Sequence, residues 1–328
     1  MAAALIGAVE AGLIFGVMAL GVYLSFRVLN FPDLTVDGSF VTGAALASIL
    51  VVYGVSPWTA NLAAFVAGAT AGLITGVLHA WGKINPLLSG ILMMIALYSI
   101  NLRIMGRPNI PLLHQRTMWT DLAPWTERLQ TVVPGADHLI VLFVLGLMVL
   151  AMKLILDWFL KTEIGLAVRA TGDSPRMVRS FSGDTRRFIV LGLAVSNAYV
   201  AFAGALMAQY GGFADIGMGI GMIVVGLASV IIGETLFRQT SLHRLTAAVI
   251  AGAVLYRIII ALALRARFLE TGDVKLITAL IVILALVLPE WRGGRKMTKA
   301  KPASRILRPL PSEGGEVGAS PGGRLQDL

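Results

Sequence analysis

Two carboxylates four residues apart, Asp33 and Asp37, lie in the run Arg27-Val-Leu-Asn30-Phe31-Pro32-Asp33-Leu-Thr35-Val-Asp37-Gly38-Ser39, with apolar sequence on both sides. On a helix that spacing puts both side chains on one face. Ionisable groups inside apolar segments are rare, and they face a bundle interior or water. With Thr35, the pair reads either as part of a solute or ion pathway or as structure. In the structural version Asp33 caps a helix and Asp37 pairs with Arg27 at an interface.

A second polar group, Tyr98, Ser99 and Asn101, closes the apolar run Asn85–Gly106. Polar side chains at that depth either line a pathway or bond to neighbouring helices. A third feature is the basic stretch 159–187, which carries Glu163, Gly165, Arg169, Asp173, Ser174, Pro175, Arg176 and Arg179. A helix is expected from about 163 to 171, stopped at Gly172, and a second from Ser174-Pro175 to about Phe181. Arg176 and Arg179 then share a face, beside an apolar stripe of Met177, Val178 and Phe181. Such an amphipathic hairpin suits docking into a partner's groove; the plainer reading is a solvated loop.

Several chemistries are absent. Gly82-Lys83-Ile84 lacks the upstream glycine and the Ser/Thr of a phosphate-binding loop. There is no HExxH or GxSxG pattern, and the four histidines have no metal-ligand spacing, so no metal is expected. Gly217, Gly219 and Gly221 follow no soluble strand and are expected to mark an irregular helix start. With no cysteine there is no disulfide or thiolate metal site.

The elements that must position these residues follow from composition. The chain has 328 residues, 57% hydrophobic and 14% charged, with a mean hydropathy of +0.81. A soluble domain carries roughly 25% charged residues, so an all-α integral membrane protein is expected. Apolar runs long enough to cross fall near 4–26, 34–53, 58–80, 86–105, 137–158, 188–208, 219–236, 245–263 and 273–289, which is about nine. Met1-Ala2-Ala3-Ala4-Leu5 has no Lys or Arg, so the first run is expected to stay in the mature protein.

The gaps alternate in charge. Arg27, Lys83, 159–187, 237–244 and the residues after Pro289 hold most of the Lys and Arg, whereas 54–57 and 209–218 hold none. Positive loops stay in the cytoplasm, which puts the N-terminus outside and the C-terminus inside. The net charge of +9 therefore points to a membrane rather than to nucleic acid. Residues 1–290 read as the membrane domain. The tail, 291–328, reads as disordered, with Arg292, Arg295, Lys296 and Lys299 against anionic lipid.

Small residues repeat at helix-packing spacing at Gly12/Gly16 and Gly68/Gly72/Gly76. Ser196 and Asn197 put polar groups into the sixth span, and Glu234 is expected to pair with Arg238.

The runs Asn30–Phe40, Leu97–Leu112, Glu163–Pro175 and Gly226–Glu234 resemble permease subunits of ABC importers, over roughly residues 5–290. The group is related to the branched-chain amino acid permeases and includes tryptophan- and tyrosine-type members. The resemblance implies a permease pair forming a pathway on a shared axis. It implies cytoplasmic ATPase subunits, which hold the ATP and Mg²⁺, docked on the loop around 163–187, and an external binding protein that delivers solute. This chain would then be neither an enzyme nor a cofactor carrier, and it would sit in a bacterial inner membrane; the basic, Gly/Pro-rich tail beyond 291 departs from the family pattern. Two other classes remain. An ion-coupled transporter would use Asp33 and Asp37 as coupling carboxylates, and an intramembrane enzyme would need paired catalytic residues that the spans lack.

Overall fold

The computed structural model describes residues 2–130, 136–237 and 241–263, together with Leu276, Ala279, Leu280 and Ile283. In chain order the elements are α1 (Ala2–Val22), α2 (Thr35–Val52), α3 (Pro57–Ala80), α4 (Pro86–Met105), β1 (Asn109–Pro111), α5 (Met118–Gln130), α6 (Ala136–Phe159), α7 (Glu163–Asp173), α8 (Pro175–Ser180), α9 (Thr185–Gly211), β2 (Phe213–Asp215), α10 (Met222–Phe237) and α11 (Leu242–Ala263). The protein is an all-α membrane bundle with one small β-ribbon.

Local chemistry places several helix ends. Asn85 accepts a bond from Leu87 N–H at 3.0 Å ahead of Pro86, so α4 starts where a cap and a proline coincide. Ser56 precedes Pro57 in the same way but makes no side-chain cap bond. Gly106 and Gly212, with φ of 67° and 73°, end α4 and α9 in the left-handed conformation that glycine tolerates. Gly172 does not stop α7, which runs on to Asp173. Its missing side chain serves packing instead, because a Cβ there would strike the Val28 carbonyl.

Among the described residues, seven helices are long and apolar enough to cross a membrane. The run expected at 219–236 forms only the 16-residue α10. At 1.5 Å per residue that is about 24 Å, short of the roughly 30 Å hydrocarbon core. Apart from Leu276, Ala279, Leu280 and Ile283, the span expected at 273–289 lies outside the described residues, as do the gap before it, Arg238 and the tail.

α9 is the central post, with α1, α2 and α3 packed along it. Small residues make that closeness feasible. Gly68, Gly72 and Gly76 of α3 face Ala201, Leu193 and Val190 of α9, and Gly12 and Gly16 of α1 face Val254 and Ile250 of α11. Both glycine ladders are therefore used inside the chain. Where α2 meets α9 the fit is reciprocal: Gly43 abuts the Ala201 carbonyl and Gly204 abuts the Phe40 carbonyl.

Two elements begin inside the bundle. α1 continues as a π-helical stretch, Tyr23–Val28, and the chain then turns through Asn30, whose φ is 53°. It re-enters the interior, so α2 starts alongside Asn197, near the middle of the 27-residue α9. α10 starts beside the first turns of α2, where Gly219 meets the Asp37 carbonyl. Its other end reaches the foot of α1, where Arg27 pairs with Glu234 at 2.8 Å. That pair takes the place of the expected Arg27–Asp37 contact, because packing of α10 on α1 brings together residues far apart in sequence, while the expected Glu234–Arg238 pairing falls on a residue outside the described ones. Irregular backbone at this depth is tolerated only where protein covers it or a cavity meets it.

The β-ribbon pairs Asn109 with Asp215 and Pro111 with Phe213, antiparallel, and joins the loop after α4 to the loop after α9. No strand is expected here from the sequence, because the ribbon joins two short loop segments far apart along the chain. At the opposite end, buried Asp157 of α6 accepts bonds from Lys153 at 2.6 Å and from His243 and Thr246 of α11 at 2.7 and 2.8 Å.

Candidate functional site

The two aspartates do not share a face. Asp33 precedes α2 and is not helical, so helical spacing does not relate it to Asp37. Asp33 is fully buried. One carboxylate oxygen accepts Thr35 N–H at 2.9 Å and the other accepts the Asn197 amide at 2.7 Å. Asn197 also donates to the Leu193 carbonyl and accepts from Ser39 at 2.7 Å. Thr35 shares a bond with Thr75 of α3 at 2.8 Å.

This network staples the start of α2 to α9 and α3. Asp33→Ala strips the acceptor from the Thr35 N–H and from one Asn197 N–H. A cost of about 2–3 kcal/mol is expected for such orphaned donors. It should appear as a lower melting temperature of the purified chain in detergent, and an unchanged melting temperature would remove Asp33 from the fold's supports.

Asp37 faces the other way. Its two oxygens accept Gly221 N–H at 2.9 Å and Ile223 N–H at 2.8 Å, the free donors at the start of α10. A carboxylate is favoured there by the positive end of the helix dipole. Asp37 thus caps a helix 184 residues away in sequence.

Between α2, α4 and the start of α10 lies a cavity of about 430 Å³, whose polar lining is Asp37, Tyr98, Ser99 and Asn101. On α4, Met94, Ile95, Tyr98 and Asn101 recur at three- and four-residue spacing and present one wall. Val41, Ile216 and Ile220 supply apolar surface opposite. Asn101 is buried and its amide donates to the Gly38 carbonyl at 3.2 Å, while its Oδ1 has no partner. The side exposed beyond Ile95 and Tyr98 is open. Four of the six expected pathway residues therefore meet at one cavity, and Asp33 and Thr35 lie apart from it. The lining from Ile216 to Ile220 has only a faint trace in the sequence, the alternating glycines before a short apolar run. A separate depression of about 490 Å³ surrounds Arg116, on the loop before α5, and Asp121, in the first turn of α5, and shares no residue with it.

The basic stretch forms two helices, as expected. Thr162 caps α7 by accepting Gly165 N–H, and Gly165 packs against the Phe159 carbonyl. Val178 is buried, whereas Met177 and Phe181 are 50% and 80% exposed. Glu163, Asp173, Pro175, Arg176 and Arg179 are exposed, with Arg169 and Ser174 partly covered. The apolar stripe is thus split: Val178 anchors α8, and its neighbours remain available to a partner.

Residues 5–289 match the family described as branched-chain amino acid transport system / permease component. The chain belongs to that permease family. A tyrosine transport system permease protein of Clostridioides difficile is 40% identical over 304 residues, 92% of this chain and 97% of that one. An autoinducer 2 import system permease protein, LsrC, of Salmonella typhimurium is 27% identical over 66% of this chain and 58% of its own length. A probable branched-chain amino acid transport permease, LivH, of Methanocaldococcus jannaschii is 26% identical over 58% of this chain and 61% of its own. No solved structure matches at a significant level. The chain is a multi-pass membrane permease component for import of small solutes.

Proposed function

We propose that this permease is the membrane subunit of an ATP-driven importer for a small amino-acid-like or aromatic solute. The observation that carries the solute class is the 40% identity, over nearly the whole length, to the tyrosine permease. Two copies enclose the pathway, and the cavity at Asp37, Tyr98, Ser99 and Asn101 faces it. The end bearing α7 and α8 is cytoplasmic and receives ATPase subunits that hold ATP and Mg²⁺. The end bearing the β-ribbon faces an external binding protein. The site is a bacterial inner membrane, with the N-terminus outside.

An ion-coupled transporter needs Asp33 and Asp37 on one water-exposed face. Their separation, with Asp33 sealed by Thr35 and Asn197, favours the ATP-driven reading.

The test is a gentle-detergent pull-down of the tagged chain from its native membranes. A P-loop ATPase near one-to-one supports the proposal, and a chain that emerges alone after mild crosslinking refutes it. Asp37→Asn should reduce uptake by about tenfold or more while assembly persists, the loss expected for a charge-assisted contact of roughly 1.5–3 kcal/mol. Wild-type uptake by that variant would return Asp37 to a purely structural role.

A further inference from the structure

We infer that the cavity between α2, α4 and the start of α10 recognises the protonated amino group of the solute, with the Asp37 carboxylate and the Asn101 Oδ1 as its acceptors. This deepens the importer reading above and rests on it.

The polar lining is rich in acceptors. Among the described residues around the cavity Asp37 is the one formally charged group, with no Lys, Arg or His beside it. Its oxygens accept the Gly221 and Ile223 N–H groups, with the Met222 N–H also directed at them, whereas a carboxylate offers about four lone-pair sites. Capping α10 therefore leaves capacity for a further donor.

Asn101 supplies the second observation. The Gly38 carbonyl can only accept, so the amide nitrogen of Asn101 must face it. Oδ1 is then the atom left buried without a partner. Buried acceptors are nearly always paired, so an orphan on a cavity wall asks for a donor from whatever occupies the space. An ammonium group brings three donors and a positive charge. The apolar wall at Ile216 and Ile220 suits a hydrocarbon or aromatic body, and the volume is within the ordinary range for small-ligand sites of roughly 300–1,000 Å³. A solute presenting only a carboxylate meets repulsion from Asp37 and nothing for Oδ1 to accept.

The natural absence of cysteine gives a direct readout. Ile95, on the exposed edge of the cavity, is replaced in the full chain as I95C, and its alkylation by a maleimide is timed. The probes are tyramine, which carries the amine without a carboxylate, and 3-(4-hydroxyphenyl)propionate, which carries the reverse. Tyramine is expected to slow alkylation by about fivefold at four times its dissociation constant, since protection follows 1 + [L]/Kd. The acid is expected to give no protection. D37N in the I95C background should abolish protection. Because D37N also touches the α10 cap, N101L is the second variant: it leaves Asp37 on α10, and protection should fall severalfold. Equal protection by the acid, no protection by tyramine, or full protection in both variants would overturn the inference. ATPase co-purification with the I95C chain separates the two levels. A bound ATPase without tyramine protection sinks this inference alone, and an absent ATPase sinks the importer reading beneath it.

Discussion

Gly43→Leu should leave almost no monodisperse protein. The α2 backbone at Gly43 lies directly on the Ala201 carbonyl of α9, and a side chain has no space to enter. Rotation of the helices offers no relief, because Gly204 abuts the Phe40 carbonyl within the same contact. Overpacking a core commonly costs about 1–3 kcal/mol, and more where backbone rather than a side chain must move. Separating α2 from α9 would also break the Ser39–Asn197 and Asp33–Asn197 bonds, so the penalties accumulate. Gly146→Leu is the control. Gly146 lies in α6 with nothing among the described residues within 4 Å of its missing Cβ, and that variant should behave as wild type. Fluorescence-detected size-exclusion chromatography of membrane extracts distinguishes them. A G43L chain that elutes with wild-type yield and shape would disprove the close contact.

Reversing both Arg176 and Arg179 to Glu should reduce ATPase co-purification at least tenfold while the chain inserts and elutes normally. The first half follows from interface electrostatics. Like charges placed against a surface that was complementary cost several kcal/mol, and about 1.4 kcal/mol is a tenfold change. The second half follows from the fold. Both side chains are exposed, and among the described residues Arg179 bonds only within its own helix, to the Pro175 carbonyl at 3.2 Å. Among the described residues Arg176 has no ion pair, so reversal removes no internal support. α8 is held by buried Val178, which the variant leaves intact. Normal ATPase binding by the double variant would move the docking surface elsewhere, and loss of insertion would show that the arginines serve the fold.

Much of this protein is legible in one dimension. Low charge and long apolar runs require membrane helices, because a chain so poor in charge cannot cover a water-exposed surface. The Asn85-Pro86 start, the Thr162 cap and the split at Ser174-Pro175 are local events, decided by side chains within a few residues of the backbone groups they satisfy. The glycine ladders announce close helix contacts by their spacing alone. Tertiary structure decided the partners. Asp33 and Asp37 look equivalent in sequence, yet one seals a buried joint and the other caps α10 beside a cavity. Glu234 bonds to Arg27, 207 positions away. Gly172 has the character of a helix stop and instead admits the Val28 carbonyl. Hydrogen bonds and steric fit act over a few ångströms of space, and periodicity carries no information about which distant segments share that space. The cavity is the clearest case, since α2 and α10 both begin inside the bundle and α4 runs past them, and only their packing brings Asp37, Tyr98, Ser99 and Asn101 together.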